Sequence, residues 1–412
     1  MTTTEAAEPL APFDPYELQD TVAGDILDPF TRMAELLAES PVHVGPIDLG
    51  MGVEESFSDV EPVAVFGFDE CVQVLRDNET FSSTVYEGVM GAVMGRTILQ
   101  MDEPEHRMQR ALVQPAFRSK VLERWEEGLV KTVVDELIDK FADEGHADLV
   151  QALTFNFPVQ VIARILGLPR ADYPKFQRWA IEITSVTANW DRGVAASEGL
   201  RDYFADVLVD RRANPSDDLI TELVQVEVDG QRLTDEEIYS FLRLLLPAGV
   251  ETTYRASGSL LYGLLTNPDQ MAAVAKDRSL LPQAIEEAVR WEPPVTIILR
   301  RATKDTELAG KAISKGADVA LLLGAANRDA RKYDHPNDFD MFREVRQHVG
   351  FGFGVHVCLG MHLARMETRV AVGTLFDRLK DLRLDPAEGQ EVAIRGLAFR
   401  SPIALPVTFT AA

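Results

Sequence analysis

The longest uninterrupted helical pattern in the chain runs from Thr234 to about Thr266, and it limits the folds that the chain can adopt. Thr234 and Glu237 form a capping-box sequence at its start, and Asn267-Pro268 follows its end. A helix of this length extends roughly 48 Å at about 1.5 Å per residue. Few helices in globular proteins are as long, so this one is expected to cross the whole molecule.

The middle of this helix contains residues that weaken regular helical hydrogen bonding. Pro247 cannot donate to the carbonyl of Arg243 one turn earlier, and Gly249 weakens the turn further. Glu251 and Thr252 follow directly, and a threonine hydroxyl can bond back to a carbonyl in the preceding turn. An acid beside an alcohol where a helix loosens is what a proton-delivery groove requires. The alternative is a proline kink with an incidental surface glutamate.

The remaining pattern predicts a mainly α fold with a minor β-sheet part. Apolar residues recur at helical spacings in Val121–Leu137 and Leu149–Leu166. Strand-like runs are fewer, and we place them in Pro62–Phe66, Ile313–Ala326 (a turn and then a strand) and Ile403–Phe409. Since no linker or repeat is visible, residues 1–20 are expected to be an N-terminal surface segment and residues 21–412 a single domain.

Composition and charge exclude several classes of function. The net charge of −25 argues against nucleic acid and anionic membrane as general partners. No apolar run approaches the roughly 18 residues that span a bilayer, and the first residues lack the pattern of a signal peptide. We therefore expect a cytoplasmic protein whose two cysteines, Cys71 and Cys358, stay unpaired. Cys71 is expected to be a small buried hydrophobic residue.

Cys358 lies in a glycine-rich turn directly before a predicted helix, Met361–Leu379. Glycines let a backbone pass close to a large flat ligand, and the N-terminus of a helix stabilises a thiolate. One thiolate held in this way suits a haem iron. Two alternatives are weaker. Structural zinc usually has closely paired ligands, unlike His348, His356, Cys358 and His362. A dinucleotide-binding loop would need glycine where Val357 stands.

Four separated segments together resemble the cytochrome P450 family, the haem-thiolate monooxygenases, in its soluble bacterial type. Residues 351–360 match Phe-Gly-x-Gly-x-His-x-Cys-x-Gly at every fixed position. The other three segments are Glu287-Ala288-Val289-Arg290, the run from His106 to Arg110, and Ala248-Gly249-Val250-Glu251-Thr252-Thr253. The resemblance extends from about Asp28 to the C-terminus and implies the cytochrome P450 fold.

The resemblance assigns most of these residues to a cofactor, haem b. It makes Cys358 the axial ligand of the iron, and Phe351 would cover the sulfur. Gly352 and Gly360 would allow the close approach of the ring. Four side chains would bind the haem propionates: His106, Arg110, His356 and Arg300. Arg301 is an alternative to Arg300.

The resemblance also implies a structural and a catalytic set. Glu287, Arg290 and Arg343 would form a buried ionic cluster that braces the cysteine loop. Glu251 and Thr252 would deliver the two protons that reductive O2 activation consumes. This pair counts against two rivals, a haem protein that binds a gas without turnover and a peroxygenase that needs no proton relay.

Substrate and electron donor are less constrained. The substrate pocket is expected to contain apolar residues from two segments: Leu244, Ala248, Val295 and Ile298. Thr296 and Phe399 are further candidates. Arg243 is a candidate for binding a substrate carboxylate. The resemblance implies a hydrophobic small-molecule substrate, a monomer, and two electrons from a ferredoxin (or a flavodoxin) with its reductase. The donor would dock on basic residues of two segments, Arg107, Arg118, Lys120 and Arg365.

Overall fold

A computed structural model describes residues 24–47, 59–88, 90–186, 189–344, 346–387 and 390–412. The predicted surface segment 1–20 lies outside these residues. The helices, in chain order, are α1 Phe30–Glu39, α2 Phe68–Arg76, α3 Met90–Met94, α4 Glu105–Val113, α5 Ser119–Trp125, α6 Lys131–Ile138, α7 Phe157–Ile165, α8 Tyr173–Thr184, α9 Trp190–Ala213, α10 Leu219–Gln225, α11 Asp235–Thr266, α12 Pro268–Lys276, α13 Leu281–Trp291, α14 Leu323–Ala326 and α15 Met361–Arg378.

The strands form small sheets at the edge of this helical body. They are β1 Val42–Val44, β2 Val63–Val65, β3 Phe81–Ser82, β4 His146–Asp148, β5 Ile297–Ala302, β6 Thr306–Leu308, β7 Lys311–Ile313, β8 Asp318–Leu322, β9 Leu379–Leu384, β10 Ile394–Arg395, β11 Ser401–Pro402 and β12 Pro406–Ala411. One sheet has the order β1-β2-β8-β5-β3, another the order β4-β12-β9, and β6-β7 and β10-β11 form pairs. A mainly α fold with a minor sheet is confirmed.

The long helix predicted from the sequence is confirmed as α11, with 32 residues. Its capping box is formed, since the Glu237 carboxylate accepts from the Thr234 amide at 2.7 Å and the Thr234 hydroxyl from the Glu237 amide at 3.3 Å. Pro247 lies inside the helix without ending it. Helices α7, α8, α9, α13 and α15 all pack against α11, so it forms the centre of the helical core.

Several predicted boundaries differ from the observed ones for local reasons. The pattern in Val121–Leu137 is divided by a π-helical turn, Glu126–Val130, between α5 and α6. The last strand begins at Pro406 rather than Ile403, because the Leu405 amide donates to the side-chain carboxylate of Asp148 instead of to a backbone carbonyl of the neighbouring strand. Among the described residues no helix combines the length and apolar character that a bilayer crossing requires.

A second apolar core lies against the five-stranded sheet. It contains Val65 from β2, Leu321 from β8 and Cys71 from α2, all fully buried. Burial raises the pKa of the Cys71 thiol. Cys71 therefore has the place of a small buried hydrophobic residue, as its sequence context indicated.

Candidate active site

The cysteine loop is shaped by two of its glycines. Gly352 and Gly354 both have φ near 70°, a left-handed conformation that favours glycine. A Cβ at Gly354 would also collide with the carbonyl oxygen of Leu75 in α2. The amide of Cys358 donates to the carbonyl of Phe351 at 2.9 Å and closes the loop. The sequence spacing thus fixes a rigid turn that presents Cys358 just before α15.

The Cys358 side chain is exposed, yet protein surrounds it closely enough to influence its ionisation. Desolvation raises the pKa of its thiol, while the Gly360 amide, Arg110 and Arg365 act in the opposite direction. Cys358 therefore lies in a recess, because its side chain is accessible to solvent while protein groups surround it. Gly360 borders it, and a Cβ at Gly360 would meet no protein atom within 4 Å. The recess can therefore admit a large flat group beside the sulfur.

Two histidines and two arginines gather next to this recess. The rings of His106 and His356 lie 4.1 Å apart between centroids. Nε2 of each ring is buried without a hydrogen-bond partner in the described part of the chain. Arg110 donates to the carbonyl of Val357 at 2.7 Å. Burial, together with the charges of His106, Arg300 and Arg110, lowers the pKa of His356 to about 3. These four side chains therefore share one site.

Strand β5 decides between the two adjacent arginines that the sequence left open. Neighbouring residues on a strand point to opposite faces. Arg301 pairs with Asp318, with 2.7 Å between Nη2 and Oδ1. Arg300 points the other way and is buried, and burial lowers its pKa while Tyr86 and Asp102 act against that shift. Arg300, rather than Arg301, faces the histidine pair.

The donor set fits haem. Buried imidazole nitrogens and guanidinium groups are suited to carboxylates, and haem carries two propionates. A lone thiol in an open recess is suited to an iron atom. The zinc alternative lacks a ligand set, since no three His, Cys, Asp or Glu side chains in the described ranges come together in a way that could hold a metal ion.

One face of α11 is open where its neighbours are buried. Leu244, Ala248 and Thr252 are partly or fully exposed, at a spacing of four residues, and Ala256 continues the series. Flanking residues such as Leu246 and Val250 are buried. The sequence analysis missed Ala256, although the same spacing points to it. The Thr252 hydroxyl donates to the Ala248 carbonyl at 2.7 Å, which is the back-bonding expected of threonine in a helix.

Glu251 lies beside this open face but turns away from solvent. It is only 4% exposed, so the interpretation of an incidental surface glutamate is wrong. Its carboxylate accepts from Nε of Arg255 at 2.7 Å, and Nη1 of Arg255 donates to the Ser401 hydroxyl at 3.0 Å. The sequence analysis did not identify Arg255 or Ser401. The spacing of Glu251 and Arg255, one helical turn, is a signal for the first of them.

The pocket residues proposed after the Glu-x-x-Arg helix divide into two groups. Val295 and Ile298 are partly exposed, and Val295 forms a bridge with Phe399. Thr296 is fully buried, and its hydroxyl donates to the carbonyl of Leu397. Thr296 therefore does not belong to the pocket, because its side chain is buried against the segment that contains Leu397.

Arg243 has a different place from the one suggested for a substrate carboxylate. Its Nη2 lies 3.0 Å from Oε1 of Glu236, and its Nη1 is 3.4 Å from the Ser197 hydroxyl of α9. Its side chain is buried among these partners. The charge is thus paired on its own helix, and the substrate-carboxylate hypothesis is wrong for this geometry.

The three members of the predicted ionic cluster lie together. Glu287 accepts from Nη2 and Nε of Arg290 at 2.7 and 2.8 Å and from Nε of Arg343 at 3.3 Å. The Asp340 amide donates to Glu287 at 2.9 Å, and Arg290 also bonds the carbonyl of Asn327 at 3.0 Å. The cluster ties α13 to the irregular segment that precedes the cysteine loop.

A neighbouring carboxylate adds a second tie that sequence reasoning missed. Glu286 pairs with Arg365 at 2.6 Å and with His348 at 3.2 Å, and the Arg365 guanidinium lies 4.6 Å from the Phe351 ring centre. Desolvation raises the pKa of Glu286, but His348 and Arg365 outweigh it and lower the value to about 2. Arg365 is therefore part of the support for the cysteine loop.

The other basic residues of the predicted docking surface are exposed. The Arg107 side chain is 79% exposed, with Glu103 3.8 Å away. Arg118 and Lys120 lie at the start of α5 and are also exposed. Arg365 differs from these three, since Glu286 holds it through two nitrogens.

Known proteins with similar sequences and structures have the same fold. The family model described as Cytochrome P450 matches residues 170–394. The cytochrome P450 monooxygenase PikC of Streptomyces venezuelae is 33% identical and covers 92% of this chain and 91% of its own. The steroid C26-monooxygenase of Mycobacterium tuberculosis is 36% identical and covers 76% of this chain and 86% of its own. The structure of CYP109E1 from Bacillus megaterium in complex with testosterone is 30% identical in sequence and has a TM-score of 0.82. The match covers 92% of this chain and 99% of the other.

These similarities extend over most of the chain and include both the helical body and the cysteine loop. The family match alone spans more than half of the residues. The family implies haem iron held by a cysteine thiolate and electrons supplied by redox partners. The chain belongs to the cytochrome P450 family and is a monooxygenase.

Proposed function

We propose that the chain binds haem b through Cys358 and hydroxylates or dealkylates a hydrophobic small molecule. The observation that supports this most is the place of Cys358, in a recess beside four groups suited to propionates: His106, Arg110, Arg300 and His356. When bound, haem supplies the iron at which O2 is reduced. One oxygen atom enters the substrate and the other leaves as water, and the reaction consumes two electrons and two protons.

The chain's own contribution to this chemistry begins with the thiolate. Cys358 would hold the haem iron as its thiolate ligand and would donate electron density to it, the property that suits haem-thiolate proteins to O–O bond cleavage. Gly352 and Gly360 leave room for the ring, and Phe351 shields the sulfur side, held in place by Arg365. Glu287, Arg290 and Arg343 keep this loop in position from behind.

Thr252 and Glu251 are proposed to move the protons. The Thr252 hydroxyl lies on the open face of α11, where it can hold a water molecule. Glu251 is adjacent in sequence but buried, so it can exchange protons with that water only by turning its carboxylate. General acid–base groups of this kind typically contribute about 10²–10⁴-fold in rate.

The substrate is proposed to be apolar, because the residues proposed to form the pocket are apolar. They are Leu244, Ala248, Val295, Ile298 and Phe399. Two relatives support a molecule of steroid size, since one is a steroid C26-monooxygenase and another was solved with testosterone. Testosterone is therefore the first compound to test.

We further propose that a ferredoxin, or a flavodoxin, supplies the electrons to a monomeric enzyme in the cytoplasm. Arg107, Arg118 and Lys120 are exposed cations on a chain of net charge −25. A local basic surface on an acidic protein steers an acidic partner. Replacing Arg107 and Lys120 with glutamate is expected to slow reduction by ferredoxin while leaving reduction by dithionite unchanged.

The proposal is tested by the absorption spectrum of the reduced protein under CO. A thiolate-ligated haem gives a strongly red-shifted Soret band, and we expect it in the purified protein. Cys358→Ala should abolish the band, whereas Cys71→Ala, which alters a buried cysteine in the other core, should retain it. Absence of the band from the wild-type protein would refute the assignment. Testosterone binding is then followed through the shift of the iron from low to high spin.

A further inference from the structure

We propose that Arg255 is a positioning residue for proton delivery: its guanidinium holds the Glu251 carboxylate in a resting position and links it to the wall of the substrate pocket. The inference rests on the proposed function, because it concerns the same proton relay. It adds a residue that none of the four family-like segments contains.

The ion pair is unusually well enclosed. Arg255 is fully buried and Glu251 is 4% exposed, and they lie one turn apart on α11 with 2.7 Å between Nε and Oε1. Removing two charges from water is costly unless further hydrogen bonds satisfy them. Ser401 of β11 accepts from Nη1 of Arg255 at 3.0 Å, and its oxygen lies 3.1 Å from the Tyr254 hydroxyl. The pair is thus fixed from a second element.

The same guanidinium touches the pocket wall. It lies 5.6 Å from the ring centre of Phe399, two residues before Ser401. Phe399 bridges Val295 across the pocket segment. One side of Arg255 therefore faces the relay acid, and another faces a residue that a substrate would contact. A substrate that displaces the Phe399 ring would alter the position of Arg255 and, through it, of Glu251.

Arginine is suited to positioning and unsuited to proton transfer. It stays protonated in proteins, so Arg255 cannot itself relay a proton. It supplies a cation to the buried Glu251 carboxylate, with 2.7 Å between Nε and Oε1, and a buried carboxylate without a cation favours its protonated form. For proton delivery to Thr252, the Glu251 carboxylate has to leave the guanidinium and turn toward the open face. The ion pair thus determines the starting position of the acid.

The first test needs neither substrate nor turnover. Glu251→Gln, Arg255→Met and the double variant form a cycle whose unfolding is measured in urea. We expect strong non-additivity, with the double variant closer to wild type than the sum of the single changes. Infrared difference spectra of Arg255→Met should show a protonated carboxyl band that the double variant lacks. Additive effects, or no such band, would overturn the proposal.

The second test measures proton delivery, with testosterone as the probe. In Arg255→Met we expect the share of NADH electrons recovered as hydrogen peroxide to rise and the solvent isotope effect on turnover to increase. Product per NADH should fall about tenfold, which is a smaller decrease than loss of the acid itself would cause. Arg255→Lys should recover most of the product yield, because it restores the cation. Ser401→Ala should have a smaller effect in the same direction.

Arg328→Met is the matched control, because it removes a largely buried cation, whose side chain is 8% exposed, from Glu292, 2.8 Å away, outside the relay. It should lower stability without changing product per NADH or the isotope effect. Equal uncoupling in Arg255→Met and Arg328→Met would reduce Arg255 to a structural residue. Failure of the proposed function would be distinct, since it would appear as a missing CO band in the wild-type protein. If testosterone gives no turnover, the unfolding cycle and infrared spectra still decide.

Discussion

Two buried glutamates, Glu287 and Glu251, are paired with arginines on their own helices but are placed very differently. Glu287 bonds Arg290, Arg343 and the amide of Asp340, which come from a helix and from the irregular segment after β8. Glu251 is held by Arg255, four residues along the same helix, and lies next to the open face of α11. The first carboxylate joins two segments, and the second is paired with an arginine of its own helix beside the open face.

The difference teaches that an ion pair is structural or functional according to its surroundings. A carboxylate bonded by three groups from two segments cannot move without breaking all three connections, which suits a brace. A carboxylate bonded to an arginine of its own helix can rotate about its side-chain torsions with the backbone unchanged, which suits a relay. Sequence spacing is almost the same in the two cases, i to i+3 and i to i+4.

The largest expected effect comes from breaking the brace. Arg290→Met leaves Glu287 buried without its closest cation, and this should lower the free energy of unfolding by about 3–5 kcal/mol. Urea unfolding followed by circular dichroism measures it. Arg378→Met, which removes surface ion pairs with Asp135 and Asp139, should cost less than about 1 kcal/mol. Equal losses in the two variants would contradict the brace.

The neighbouring pair of Glu286 predicts a pH dependence. Its pKa is about 2 in the folded chain against an ordinary 4.5, so its contribution to stability is present above pH 4.5 and is lost as the pH falls toward 2. Glu286→Gln should therefore lower stability at pH 7 by at most about 3 kcal/mol and by much less near pH 2. Unfolding curves across this range measure it. Glu344→Gln, at an exposed position, should leave the unfolding curves unchanged. The prediction would be contradicted if Glu286→Gln lowered stability by the same amount at all pH values.

The relay side should respond in chemistry rather than stability. Thr252→Ala is expected to retain haem and the substrate-induced spin shift, while product per NADH falls about tenfold or more and hydrogen peroxide rises. Thr266→Ala is a close control, because its hydroxyl makes the same 2.7 Å bond to a carbonyl four residues earlier, at the end of α11. Unchanged coupling in Thr252→Ala would count against the relay.

The smallest effect on stability is expected from filling the open face. Ala248 is exposed, so Ala248→Phe should change the free energy of unfolding by about 0.5 kcal/mol or less while weakening testosterone binding in spin-shift titrations. Gly249→Ala should instead lower the free energy of unfolding and leave testosterone binding unchanged, because a Cβ there would lie 2.9 Å from Cδ1 of Ile162 in the core. Tight testosterone binding by Ala248→Phe would show that substrate lies elsewhere.

Much of the fold and site was predictable because the decisive signals are local. The capping box and the apolar pattern define α11, and the glycine spacing defines the cysteine loop. The Glu287 cluster was predictable in part from its i to i+3 spacing. The choice of Arg300 over Arg301, the burial of Thr296 and the pairing of Arg243 were not, because each depends on which face of its element packs inward.

The sequence alone therefore determined the central helix, the cysteine turn and the pairing of Glu287 with Arg290, since each arises from short-range spacing and backbone preference. Only the tertiary structure decided which charges meet across the chain. Ser401 reaches Arg255 from 146 residues away in sequence, and Glu286 meets Arg365 across 79. Such contacts depend on how helices and sheets pack, and packing is settled by the burial of many side chains together.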